Sequence, residues 1–75
     1  MDKNELAAII GSNLCTLRLA GGLTQEELAE AAGISTSFYA NLERGNKGVS
    51  VAVLYSLAEC LGVTVDCLLY EPTHD

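Results

Sequence analysis

Few side chains in this sequence of 75 residues are equipped to make or break bonds. The thiols are Cys15, Cys60 and Cys67, and the single imidazole is His74, in the last two residues. A reactive thiol needs an activating base within hydrogen-bond reach, and none is evident beside Cys15. No Ser-His-Asp or Cys-His set, paired-carboxylate cleft or phosphate-cradling glycine loop is visible, so an enzyme is not expected. No C-x-x-C pair occurs and one histidine cannot complete a zinc set, so neither a metal nor a cofactor is expected, and no small-molecule ligand is evident. Three cysteines at unrelated spacings do not make a disulfide framework; they read as reduced, mostly buried thiols.

The chemistry left is recognition by hydrogen bonds, and it is concentrated in the string TQEELAEAAGISTSFYANLER, Thr24 to Arg44. Five helical segments position it. The first runs from about Lys3 to Ala20, with Leu6, Ile10, Leu14 and Leu17 on one stripe and Gly21-Gly22 at its end. The second begins at Thr24, whose T-x-x-E spacing to Glu27 is a capping box, and ends at Gly33 in a left-handed turn. Leu28, Ala31 and Ala32 are expected inward. Ser35 caps the third, which runs to about Arg44, and Gly45-Asn46-Lys47-Gly48 reads as a loop. Ser50 caps the fourth, which carries Val51, Val53, Leu54, Leu57, Ala58 and Leu61. Thr64 is expected to cap a short fifth with Val65, Leu68 and Leu69; VTVDCLL has strand propensity, but Thr64 and the preceding Gly62 favour helix. Residues 1–75 are thus expected to be a single domain, with an ordered core of about 3–70 and a 71–75 tail.

Two short helices crossing steeply need a small residue where they touch, a glycine in the turn and an apolar plug after it. Ala29, Gly33 and Ile34 meet those needs, with Leu28, Tyr39 and Leu42 facing inward. Such a helix-turn-helix is a device for laying its second helix in the DNA major groove.

With GLTQEELAEAAGIS, NLERG and SLAECLGVTVDCLL in place, the chain resembles the XRE family, the Cro and phage-repressor class of helix-turn-helix domains, from about Ile10 to Leu69. The resemblance implies an all-α, compact five-helix bundle of the lambda-repressor-like type and sequence-specific binding of double-stranded DNA, usually as a dimer. It implies base-reading positions at Thr36, Ser37 and Asn41, which share the outward face of the third helix. Asn pairs with adenine N6 and N7, whereas Ser and Thr hydroxyls are permissive. Gln25 matches a position that touches the DNA backbone and braces the reading helix. Arg18 and Glu43 match an internal salt bridge, which removes Arg18 from the DNA contacts. Arg44, Asn46 and Lys47 stand where phosphates would lie. Phe38, on the flank, either meets a thymine methyl or sugar or packs on the second helix.

A net charge of -6 is wrong for a DNA binder, but no acid falls between Ser35 and Asn41. Slots on the first helix that are often charged in relatives hold Ser12, Asn13, Cys15, Thr16 and Leu19. With Arg44 and Lys47 available and Lys3 as a third candidate, about two or three charged phosphate contacts per subunit are expected, hence a shallow salt dependence. Tyr55, Cys60 and Cys67 put apolar groups where outward-facing polar ones are expected, with Leu19 and Val49 adding to them, and mark a candidate homodimer face. A symmetric dimer would present two reading helices about 34 Å apart to an inverted repeat.

The reading is therefore a transcriptional regulator, expected to be a repressor. The rival is an antitoxin or interaction module of the same fold with a decayed DNA face, which the charge favours and Gln25, Asn41, Arg44 and Lys47 oppose. MDKNELAAIIGSN is not a signal peptide and no apolar run approaches membrane-spanning length, so a cytoplasmic protein without membrane contact is expected.

Overall fold

Each helix of this chain but the last is started by a short polar side chain that accepts the N–H three residues on. In a computed structural model, which describes residues 1–70, Asp2 starts α1 (Lys3–Ala20), Thr24 starts α2 (Gln25–Ala32), Ser35 starts α3 (Thr36–Glu43) and Ser50 starts α4 (Val51–Leu61). The accepted N–H groups belong to Glu5, Glu27, Phe38 and Val53, at 2.8 to 3.2 Å. Each such cap is worth about 1 kcal/mol, a useful sum for a chain too short to build a large core.

The short fifth helix, α5 (Asp66–Leu69), departs from that rule. Thr64 does not cap it: no side chain does, and the Thr64 hydroxyl lies 3.6 Å from the Cys67 sulfur instead. The turn is entered through the backbone, Cys67 N–H to Thr64 O and Leu68 N–H to Val65 O. Packing holds the segment in place, since Leu68 is fully buried.

All five elements are helical, and the described residues contain no strand. The core is one cluster in which Leu14 of α1, Leu28 of α2, Tyr39 of α3, Leu57 of α4 and Leu68 of α5 are each fully buried. Each such side chain contributes about 1.5 to 3 kcal/mol by leaving water, so every helix is pinned by at least one anchor. α1 packs on α3 and α5, and α2 packs on α3 and α4. Among the described residues no single helix is long and apolar enough to cross a membrane.

Several inward expectations move. On α2 the buried pair is Leu28 and Ala29, while Ala31 is exposed, because eight residues offer only a narrow stripe to the core. Val51, in the first turn of α4, is 83% exposed, whereas Val49, expected to add apolar surface, is half-buried against the core. The thiols are not mostly buried: Cys15 is half-buried, and Cys60 and Cys67 are exposed. Residues 71–75, expected as a tail, lie outside the described residues.

Asn13 is the clearest correction. Expected on the outer side of the first helix, it is the one buried polar residue among the described residues, 7% exposed. Its Nδ2 donates to Leu68 O at 3.1 Å and Tyr70 O at 2.9 Å. Both amide hydrogens thus satisfy carbonyls at the end of α5 that have no helical partner.

Candidate nucleic-acid interface

The turn between α2 and α3 follows from Ala29, Gly33 and Ile34, after a helix whose start is fixed by a capping box. Thr24 and Glu27 form a reciprocal capping box, Thr24 N–H donating to Glu27 Oε1 at 2.9 Å. Gly33 ends α2 at φ 74°, a left-handed conformation that costs glycine little. Ile34 N–H then reaches back to Ala29 O at 3.0 Å, and its half-buried side chain packs against the core beneath the turn. Ala29, 1% exposed, supplies the small contact that lets α3 cross close to α2.

With Tyr39 and Leu42 buried, the opposite side of α3 faces out: Thr36 and Ser37 are exposed, and Asn41 is partly so. Asn41 is engaged within its own helix, Nδ2 donating to Ser37 O at 3.1 Å and Oδ1 accepting from Arg44 Nη1 at 3.2 Å. Both bonds are at the surface, where water replaces them at little cost. Phe38 is half-buried and packs against the core.

The base of α3 is held by a polar network. Arg18 Nε donates to Glu43 Oε2 at 2.6 Å and Nη2 donates to Oε1 at 3.2 Å. Arg18 Nη1 also donates to Leu23 O at 2.8 Å, and Gln25 Nε2 donates to Glu43 Oε1 at 2.9 Å. The end of α1, the turn after it, the start of α2 and the end of α3 therefore meet at one carboxylate. Burial alone would raise the Glu43 pKa, but the donors from Arg18 and Gln25, with the nearby Tyr39 hydroxyl adding to them by proximity, bring it from 4.5 down to about 2. The Arg18 guanidinium is held still more firmly protonated by its bond to Glu43. Burial and the nearby carboxylate push the Tyr39 phenol well above its usual value. The Tyr39 hydroxyl meets no partner at hydrogen-bonding geometry, so proximity rather than a formed bond couples it to Glu43. Arg18 and Glu43 are thus spent on each other, while Gln25 uses one of its two amide hydrogens on Glu43.

A groove of about 520 Å³ between the α1–α2 turn and the start of α3 brings Gln25 and Thr36 together. Asn46 and Lys47 lie apart from it, exposed in the loop after α3, with Arg44 ending the helix as its C-cap. The acids of α2, Glu26, Glu27 and Glu30, are exposed and off the α3 face. Tyr55, Cys60 and Cys67 are all exposed on α4 and α5, with Tyr55 at 57%.

Sequence reading missed Asn13 and Gly11. Asn13 follows Ile10 by three and precedes Leu17 by four, so the apolar stripe already placed it inward. Gly11 is buried, and a methyl there would collide with the carbonyl oxygens of Leu42 and Glu43. A glycine inside a long helical pattern was the only signal for it.

The helix-turn-helix family HTH_3 matches residues 16–66. The chain is similar to the HTH-type transcriptional regulator y4dJ of Sinorhizobium fredii, 42% identical over 60 residues that cover 80% of this chain and 78% of that protein. It is also similar to the immunity repressor protein of Bacillus phage phi105, 34% identical over 64 residues, 85% of this chain and 44% of that protein. Among solved structures, the restriction-modification controller protein C.AhdI from Aeromonas hydrophila superposes with a TM-score of 0.81 at 35% identity, over 84% of this chain and 96% of that one.

Proposed function

Because the chain belongs to the HTH_3 helix-turn-helix family of DNA-binding transcriptional regulators of the XRE type, which are not enzymes, we propose that residues 1–75 act as one repressor domain in the cytoplasm and bind an inverted repeat as a homodimer. α3 enters the major groove, Thr36, Ser37 and Asn41 read bases, and Gln25, Arg44, Asn46 and Lys47 hold the backbone. The observation that carries this reading is the surface of α3: exposed Thr36 and Ser37 opposite buried Tyr39 and Leu42, with no acid from Ser35 to Asn41. The name of the phage phi105 relative supports repression, and exposed Tyr55, Cys60 and Cys67 support a self-association face on α4 and α5.

Adenine recognition has a local consequence. When Asn41 turns to a base it gives up Arg44, and the freed guanidinium becomes available to a phosphate. The two contacts therefore form together.

Selection of bound duplexes from a random library tests the reading. An enriched inverted repeat supports it, and a single enriched half-site removes the dimer. No enrichment from the library, together with retained binding to another protein, would favour the interaction-module reading that the charge of -6 suggests. The expected salt slope of the selected duplex is shallow; one of about -8 or steeper for a dimer would contradict so few cations. Sedimentation that finds only monomer at high micromolar protein would exclude the homodimer.

A further inference from the structure

The chain has four cations, and Arg18 is neutralised by Glu43. Of the other three, Lys3 and Lys47 are 44 positions apart in sequence yet line one cleft of about 320 Å³ between the start of α1 and the loop after α3. Asn4 and Asn46 line it too, and no carboxylate of the described residues does. In a chain with ten acids and four bases, a pocket walled by two lysines and two asparagines without an acid stands out. Of the two carboxylates beside Lys3 and Asn4 in sequence, Asp2 is turned onto Glu5 N–H as the cap of α1, and Glu5 is exposed in the first turn of that helix.

The cleft is built by a close backbone approach. Gly45 adopts φ 75°, and a Cβ there would stand 3.1 Å from Ala8 Cα. Only a glycine lets the loop lie this near α1, and that contact brings the two lysine walls together. Two ammonium groups lining one cleft repel each other, so an oxyanion seated between them relieves the repulsion and gains charge-assisted hydrogen bonds. The asparagine amides add neutral donors.

We propose that this cleft seats a phosphodiester of the DNA backbone, with Lys3 as a phosphate-binding residue that extends the footprint from α3 and its loop onto α1. The inference rests on the proposed function, which places α3 in the major groove; the cleft opens beside the loop that leaves α3. It gives a chain poor in cations one more phosphate contact per subunit, supplied by the helix whose own outward slots carry none.

The probes are the duplex enriched from the random library and a random-sequence duplex of the same length. Affinity is followed across a salt series for the wild-type chain, Lys3→Gln, Lys3→Arg and Lys47→Gln. Lys3 is exposed in the first turn of α1, so its replacement leaves the core untouched. Lys3→Gln is expected to make the slope shallower by about 0.9 for each bound subunit on both duplexes, leaving the preference between them unchanged. Lys3→Arg is expected to keep the wild-type slope, and Lys47→Gln to match Lys3→Gln. A wild-type chain that binds the enriched duplex with a slope that Lys3→Gln leaves unaltered overturns this inference alone. A wild-type chain that binds no duplex overturns the proposed function and this inference with it. Inorganic phosphate shares the oxyanion chemistry, so it is titrated without DNA while the Lys3 and Lys47 side-chain resonances are followed; saturable binding that Lys3→Gln abolishes, with an unaltered DNA slope, would make the cleft a small-anion site and overturn the DNA assignment.

Discussion

Gly11 of α1 lies against the carbonyl oxygen of Leu42, so the helix that carries Arg18 crosses the last turn of α3 at backbone distance. The crossing sets how far α3 stands out from the rest of the molecule. It also brings Arg18 within reach of Glu43, since a wider separation would leave the guanidinium short of the carboxylate.

Gly11→Ala is expected to destabilise the chain. Intrinsic helix propensity favours alanine by about 1 kcal/mol, but the new methyl meets Leu42 O and Glu43 O, both backbone and unable to rotate away. Overpacking of this kind costs about 1 to 3 kcal/mol, toward the upper end against fixed backbone, so the net loss after the propensity gain is about 1 to 2 kcal/mol, a drop in Tm of roughly 5 to 15 °C for a chain of this size. Thermal unfolding followed by circular dichroism checks it; an unchanged or raised Tm would mean that α1 and α3 do not touch there.

Acid should weaken the fold through Glu43. Its carboxyl titrates near 2 in the folded chain and near 4.5 when free of Arg18 and Gln25. The unfolded chain therefore takes up the proton first, and the stabilisation, complete above about pH 5, is lost as pH falls toward 2. Urea unfolding over that range should show a falling midpoint in the wild-type chain and a flatter profile in Glu43→Gln. Arg18→Met leaves the carboxylate without its cation and is expected to cost about 3 kcal/mol at neutral pH.

Asn13→Ala removes both donors that hold Leu68 O and Tyr70 O. Leaving those carbonyls unsatisfied in a buried place costs about 1 to 3 kcal/mol. α5 has no side-chain cap of its own, so the loss should be local: amide exchange at Cys67 and Leu68 should accelerate more than at Leu14 or Leu57. Uniform acceleration would show that Asn13 supports the whole core instead of one helix.

Asn41→Ala should relax base preference rather than abolish binding. A good bidentate pair is worth about 1 to 3 kcal/mol of discrimination, while the cations outside α3 are untouched. Competition between the enriched duplex and variants changed at one position measures it. Equal loss on every duplex would assign Asn41 to the backbone.

The local signals were strong where one residue type suffices. Ser, Thr and Asp before an apolar run stop a helix from starting elsewhere, because only their side chains accept the free N–H groups of the first turn. Gly33 and Gly62, at φ 74° and 70°, end helices for an equally local reason. The cap assigned to Thr64 failed because α5 is held by Leu68 in the core and by Asn13, which lies 55 positions before it. Its residues alone carry no sign of that partner.

The amino-acid order by itself determined five helices, the turn at Gly33 and an α3 with an acid-free outer face, because capping, periodicity and turn geometry act over three or four residues. Tertiary structure decided what distant residues do for one another: Gly11 against Leu42, Asn13 on the end of α5, Gln25 shared with Glu43, and Lys3 beside Lys47. Those pairings depend on the angle and distance at which helices cross, and these are settled only when all five anchors pack into one core.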